Sequence, residues 1–110
     1  MRLIIGGVYQ GRQRYAYDKY GADIKIYREV FENVKNLVTD GIKEPEVIKI
    51  ILEKAKLSDV VIAEEQFSGL TPIDKDENHL YEVYGRCLTF LADEAESVER
   101  VVCGLGQKLK

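Results

Sequence analysis

The 110-residue chain is long enough to form one domain, residues 1–110, with a core of its own, and its 45% hydrophobic and 32% charged residues exclude a disordered or fibrous chain. A net charge of −3, with Lys and Arg interleaved among Asp and Glu, gives no electrostatic footing for nucleic acid or an anionic membrane. The apolar run Leu3 to Ile5 is too short for a signal peptide, and no run approaches the roughly 18 apolar residues of a membrane span, so a cytoplasmic protein is expected.

The first expected element is a strand over residues 2–5. Leu3, Ile4 and Ile5 are contiguous rather than alternating, the pattern of a parallel-sheet strand covered on both faces. The run Gly6-Gly7-Val8-Tyr9-Gln10-Gly11-Arg12-Gln13 follows, and then a polar segment from Arg12 to Tyr20 that reads as a helix. Strand, glycine turn and helix in this order are the context of a phosphate-binding loop. Glycines let successive N–H groups converge on a phosphate, and the N-terminus of the next helix adds partial positive charge.

Two positions depart from the pattern GxxxxGK[ST]. Arg12 stands at the lysine and keeps the charge as a broader planar fork. Gln13 stands at the hydroxyl residue that normally holds magnesium, and it offers an amide oxygen on a longer arm. A plain glycine linker between two elements is the competing reading of this run. Tyr9, Tyr15, Tyr17 and Tyr20 cluster nearby, either to stack on a base or to pack the first helix.

Ile24, Lys25 and Ile26 alternate and indicate a second strand over residues 24–27. Val30, Phe31, Val34, Leu37 and Val38 then form the stripe of an amphipathic helix, closed by Asp40-Gly41 with the glycine suited to a left-handed residue. Pro45 suits the first turn of a further helix whose buried face is Val47, Ile48, Ile51, Leu52 and Ala55. Val60 to Ala63 mark a strand over residues 59–63. Functional groups gather beyond the carboxyl ends of parallel strands, and Glu64 and Glu65 lie at such an end. A carboxylate there orients an attacking group or holds a metal; a solvated acidic loop is the alternative.

Residues 66–74 read as irregular, with Gly69 and Pro72 as breakers. A long helix from Asp76 to Ala95 carries Leu80, Val83, Tyr84, Cys87, Leu88, Leu91 and Ala92 on one stripe. Arg86 on it is a candidate phosphate contact, with an exposed salt bridge as the alternative. A final strand is expected over residues 99–103, ahead of Gly104-Leu105-Gly106. Cys87 and Cys103 are far apart without a CxxC pair, so the expectation is two reduced, buried thiols and neither a zinc site nor a disulfide framework. No metal ligand set is identified. The expected architecture is a three-layer α/β, P-loop-like domain: a small, mostly parallel sheet flanked by helices, with exposed edges that favour a homo-oligomer.

Four stretches in order carry a family resemblance: Gly6-Gly7-x-x-x-Gly11, Glu65 with Gly69-Leu70-Thr71-Pro72, Gly85-Arg86, and Val101-Val102-Cys103-Gly104-Leu105-Gly106-Gln107-Lys108-Leu109-Lys110. Together they resemble the bifunctional adenosylcobinamide kinase/adenosylcobinamide-phosphate guanylyltransferase family of cobalamin biosynthesis. The resemblance covers the first 20 residues and the stretch from about Asp59 onward. It implies ATP or GTP bound through Gly6, Gly7, Gly11 and Arg12, a corrinoid as second ligand, and an oligomer. Glu65 is the catalytic candidate.

The sequence departs from that family in its middle. The family's guanylyltransfer passes through a histidine in an insert with a Trp-x-x-x-Glu neighbourhood, whereas this chain has no tryptophan and a shorter middle segment. Its one histidine, His79, lies after the Gly-Leu-Thr-Pro loop on another element. Guanylyltransferase activity by that route is therefore not expected, and Gln13 compromises the magnesium site of the kinase. Two functional readings follow: a reduced kinase-like enzyme in which Arg12 and Glu65 compensate, or a non-catalytic nucleotide-binding or scaffolding protein that acts through partners.

Overall fold

A computed structural model of the chain describes residues 1–7, 11–64 and 75–110. Among them the chain runs β1 (Arg2–Gly6), α1 (Arg12–Tyr20), β2 (Ile26–Tyr27), α2 (Val30–Thr39), α3 (Glu44–Lys56), β3 (Val60–Glu64), α4 (Lys75–Glu94), β4 (Ser97–Val102) and β5 (Leu105–Lys108). The strands form one sheet in the order β2-β3-β1-β4-β5. All neighbours are parallel except β5, which is antiparallel to β4. The α/β class and the mostly parallel sheet are as the sequence indicated.

Alternation along the strands divides the core in two. Leu3, Val61, Ala63 and Val98 face the helices α2, α3 and α4, where Val34, Val47, Ile51, Val83 and Leu91 are buried against them. Ile4, Val60, Ile62 and Val101 point to the opposite face, where Ala16 of α1 meets them. Each of these Leu, Ile and Val side chains contributes about 1.5–3 kcal/mol when fully buried. Helices therefore lie on both faces of the sheet, three on one and α1 on the other.

Some boundaries differ from the expected ones. β2 comprises two residues rather than 24–27, because Lys25 is drawn out of the ladder by Asp59. Its N–H donates to the Asp59 carboxylate at 2.8 Å, and its carbonyl accepts from the N–H groups of Asp59 and Val60. The last parallel strand begins at Ser97 and stops at Val102. Cys103 and Gly104, at φ 51° and 76°, then make a two-residue turn into β5, a strand the sequence reading did not anticipate. The expectation of two buried thiols holds for Cys87 alone, since Cys103 lies on this exposed turn. Burial pushes the Cys87 thiol up to about 11, so it stays protonated near neutrality.

Candidate functional site

The parallel register aligns the carboxyl ends of the central strands, with Gly6 of β1 opposite Glu64 of β3. Arg28 directly follows β2, which pairs with β3 on its other side. α1 starts at this same end of the sheet, since residues 7–11 alone separate it from β1. A cavity of about 270 Å³ opens here, lined by Gly11, Arg12, Gln13, Arg14, Arg28, Ile62 and Glu64.

The entry into α1 depends on Gly11, whose φ of 79° and ψ of 27° are left-handed, and no side chain caps the helix. The first bond of the helix joins the Tyr15 N–H to the Gly11 carbonyl, at 2.9 Å. The N–H groups of Arg12, Gln13 and Arg14 therefore have no acceptor inside the helix, which leaves the positive end of its dipole at the cavity. Among the described residues, three guanidinium groups against the carboxylate of Glu64 leave the lining with a surplus of two positive charges. In a chain of net charge −3 this is a local inversion of sign.

Gly6 makes room for the arginine. A Cβ at this position would meet the Val101 carbonyl oxygen at 2.7 Å and the Arg12 Cγ and Cδ at 3.3 Å, so the side chain of Arg12 passes over a strand end that has none. Arg28 donates from Nη1 to the Oε1 of Gln13, tying the end of β2 to the first turn of α1. Arg14 makes an exposed contact with Asp18, Nε to Oδ2 at 3.7 Å. On the other side the hydroxyl of buried Tyr84 donates to the backbone carbonyl of Glu64 at 2.7 Å, fastening α4 to the end of β3. Burial, with the nearby Glu64 charge, raises the Tyr84 hydroxyl pKa; Arg12 opposes that shift.

α1 is held on the sheet by a second polar cluster. Glu99 of β4 is 3% exposed. It accepts hydrogen bonds from the hydroxyls of Tyr15 and Tyr20 and from Lys19 Nζ, the last at 2.9 Å. Burial alone would raise the Glu99 carboxyl, but these hydrogen bonds and the Lys19 charge outweigh it and hold it below the ordinary carboxylate range. The hydrogen bond to Glu99, followed by burial, raises the Tyr15 hydroxyl; burial, followed by the same bond, raises Tyr20. Packing against the sheet is thus the role of these two tyrosines, while Tyr17 is exposed.

Of the residues singled out from the sequence, the fold brings Gly11, Arg12 and Gln13 to one cavity, with Gly6 beneath the side chain of Arg12. Val8, Tyr9, Gln10 and Glu65, with the Gly69-Leu70-Thr71-Pro72 stretch, lie outside the described residues. Arg86 is elsewhere. It binds Glu44, at the start of α3, through Nε at 2.9 Å and Nη2 at 2.6 Å, because that face of α4 packs on α3 rather than on the strand ends. His79 is exposed near the start of α4. The sequence reading did not single out Arg14 or Arg28. The rule that functional groups collect beyond strand carboxyl ends reaches Arg28 directly, since it is the residue after β2.

Among the described residues, the lining of the cavity does not fit a magnesium ion. The amide oxygen of Gln13, at the position of the usual metal ligand, already accepts from a cation, and a second cation beside Arg28 is repelled. Among the described residues, no group of three or more His, Cys, Asp or Glu side chains gathers to hold a metal. No helix among them is long and apolar enough to cross a membrane.

No known protein-family model matches this sequence, and no curated protein matches it either.

Proposed function

We propose that this chain is a P-loop-like nucleotide-binding protein that takes the phosphates of ATP or GTP at the start of α1, related in its chemistry to the adenosylcobinamide kinases its sequence resembles. The observation that carries the reading is the cavity at the ends of β1 and β3, lined by the first turn of α1 and by Arg12, Arg14 and Arg28. Uncapped N–H groups and excess guanidinium charge suit an anion bearing two or more negative charges. Arg12, which follows the left-handed Gly11, is the first residue to meet it; Gly6 keeps the strand end clear for its side chain.

Binding without turnover is the form we propose, because Gln13, at the usual metal-ligand position, is engaged by Arg28. Phosphoryl transfer rests on neutralising the β- and γ-phosphates and orienting the attacking hydroxyl. The guanidiniums supply the first requirement. For the second, Glu64 is the carboxylate at the cavity, and Glu65 remains the catalytic candidate from sequence. A corrinoid as second ligand and a homo-oligomeric state belong to the same proposal.

The test is the thermal midpoint with ATP, GTP or neither, in the wild type and in Arg12→Ala. A nucleotide at a hundred times its dissociation constant adds about 2.7 kcal/mol, which in a domain of this size raises the midpoint by roughly 10 °C. The expected result is such a rise, lost in Arg12→Ala. No rise with either nucleotide would sink the reading. A phosphorylation assay on adenosylcobinamide then separates the two forms of the proposal: turnover supports a kinase, and binding without turnover a non-catalytic protein.

A further inference from the structure

The site carries a feature that a nucleotide-binding loop built around magnesium would not have. The side chain at the metal-ligand position, Gln13, is hydrogen-bonded by Arg28, a residue 15 positions away that arrives from the end of another strand. Arg28 reaches Gln13 from the neighbouring strand: β2 lies beside β3, and its last residue, Tyr27, is level with Val61, three residues before Glu64.

We propose that Arg28 takes the place of the divalent cation, so that this chain binds a polyphosphate without metal. The inference rests on the phosphate-binding reading above and adds which charge neutralises the ligand. A magnesium ion requires near-octahedral oxygen ligands and neutralises charge by direct coordination. A guanidinium offers a planar fork that meets two phosphate oxygens at once and is charged at every pH of interest. Hydrogen-bonded to Gln13, Arg28 is directed to the first turn of α1. Its own donors outnumber the one it gives to Gln13, since a guanidinium carries five N–H groups. Arg12 lines the same cavity and brings a second guanidinium to the ligand. With the two arginines on one ligand, a magnesium-bound polyphosphate is the poorer partner, because the metal has already taken part of the negative charge that the guanidiniums would meet.

The experiment is calorimetric titration of the full chain with inorganic tripolyphosphate, once in a chelator and once in millimolar magnesium. The wild type is expected to bind in chelator, and magnesium is expected to leave the affinity unchanged or to weaken it. Arg28→Ala is expected to weaken binding in chelator by roughly tenfold to a hundredfold, the range for losing a charge-assisted hydrogen bond. Arg28→Lys keeps the charge without the fork and is expected to lose less; it also carries the test if the alanine variant fails to fold. Binding that requires magnesium, or affinity in chelator that neither Arg28 variant changes, overturns the proposal while leaving the phosphate site standing. Absence of binding in both buffers overturns the phosphate-binding reading itself, and this inference with it.

Discussion

Replacing Glu99 by glutamine removes one negative charge from the cluster that fastens α1 to β4, with almost no change in shape. The carboxylate accepts from Tyr15, Tyr20 and Lys19, and hydrogen bonds to charged groups are worth about 1.5–3 kcal/mol each when deleted. Glutamine keeps one acceptor oxygen and can turn its NH₂ toward a tyrosine hydroxyl, so most of the network survives in weaker form. Breaking a fully buried ion pair costs about 3–5 kcal/mol. Here Lys19 is 47% exposed and returns to water, which places the expected loss at about 1–3 kcal/mol. In a domain of this size that lowers the thermal midpoint by roughly 5–15 °C at pH 7.

The pH dependence has a definite sign. Glu99 is held below its unfolded value of about 4.3, so its contribution is complete above that pH and is lost as pH falls through the depressed folded value. Tyr15 and Tyr20 are raised above about 10, so their contribution is complete below pH 10 and is lost as pH rises through their folded values. The gap between wild type and Glu99→Gln is therefore widest from about pH 5 to 10 and closes on acidification. Calorimetric or circular-dichroism melts across that range measure it. A midpoint difference under about 1 °C at pH 7, or an equal difference at about pH 3, would refute the assignment of Glu99 as a charged anchor.

Gly6→Ala sets a methyl group 2.7 Å from the Val101 carbonyl, where backbone must move, and should cost about 1–3 kcal/mol in urea unfolding. Gly106→Ala places its Cβ about on the Tyr15 hydroxyl, 2.1 Å away, and should expel Tyr15 from Glu99. Its stability loss is then smaller in a Tyr15→Ala background than in the wild type, a coupling that a double-mutant cycle reads directly. Tyr84→Phe leaves the Glu64 carbonyl without its donor and should cost about 0.5–1.5 kcal/mol by equilibrium unfolding. Arg86→Ala should leave any nucleotide-induced midpoint rise intact, since Arg86 is engaged with Glu44; loss of the rise would restore it as a phosphate contact.

Local order was readable along much of the chain. The stripe of Val30, Val34 and Leu37 and that of Val47, Ile51 and Ala55 name the helices α2 and α3, because a 3.6-residue period has one outcome wherever a sheet waits to be covered. Gly41 at φ 81° and Pro45 in the first turn of α3 stand where their own backbone preferences put them. The contiguous apolar run of β1 likewise pointed to a parallel sheet with both faces covered, and Val60 to Ala63 marked β3 as a strand. β5 escaped notice because Leu105-Gly106-Gln107-Lys108 carries neither alternation nor β-branched residues. Its signal was the Cys103-Gly104 turn, whose glycine suits a two-residue hairpin.

The candidate site divides along the same line. Gly11, Arg12 and Gln13 are consecutive, so their meeting at the head of α1 follows from the sequence once a strand and a helix flank them. Arg28 beside Gln13, Glu64 level with Gly6, and Glu99 beneath Tyr15, Tyr20 and Lys19 do not follow from it. Each of these pairings crosses between elements, and the strand order β2-β3-β1-β4-β5 decides which elements become neighbours. Periodicity and turn chemistry act over a few residues and report which face of an element is buried. Which partner buries that face, and so which distant charges share a cavity, is set by the packing of the whole sheet.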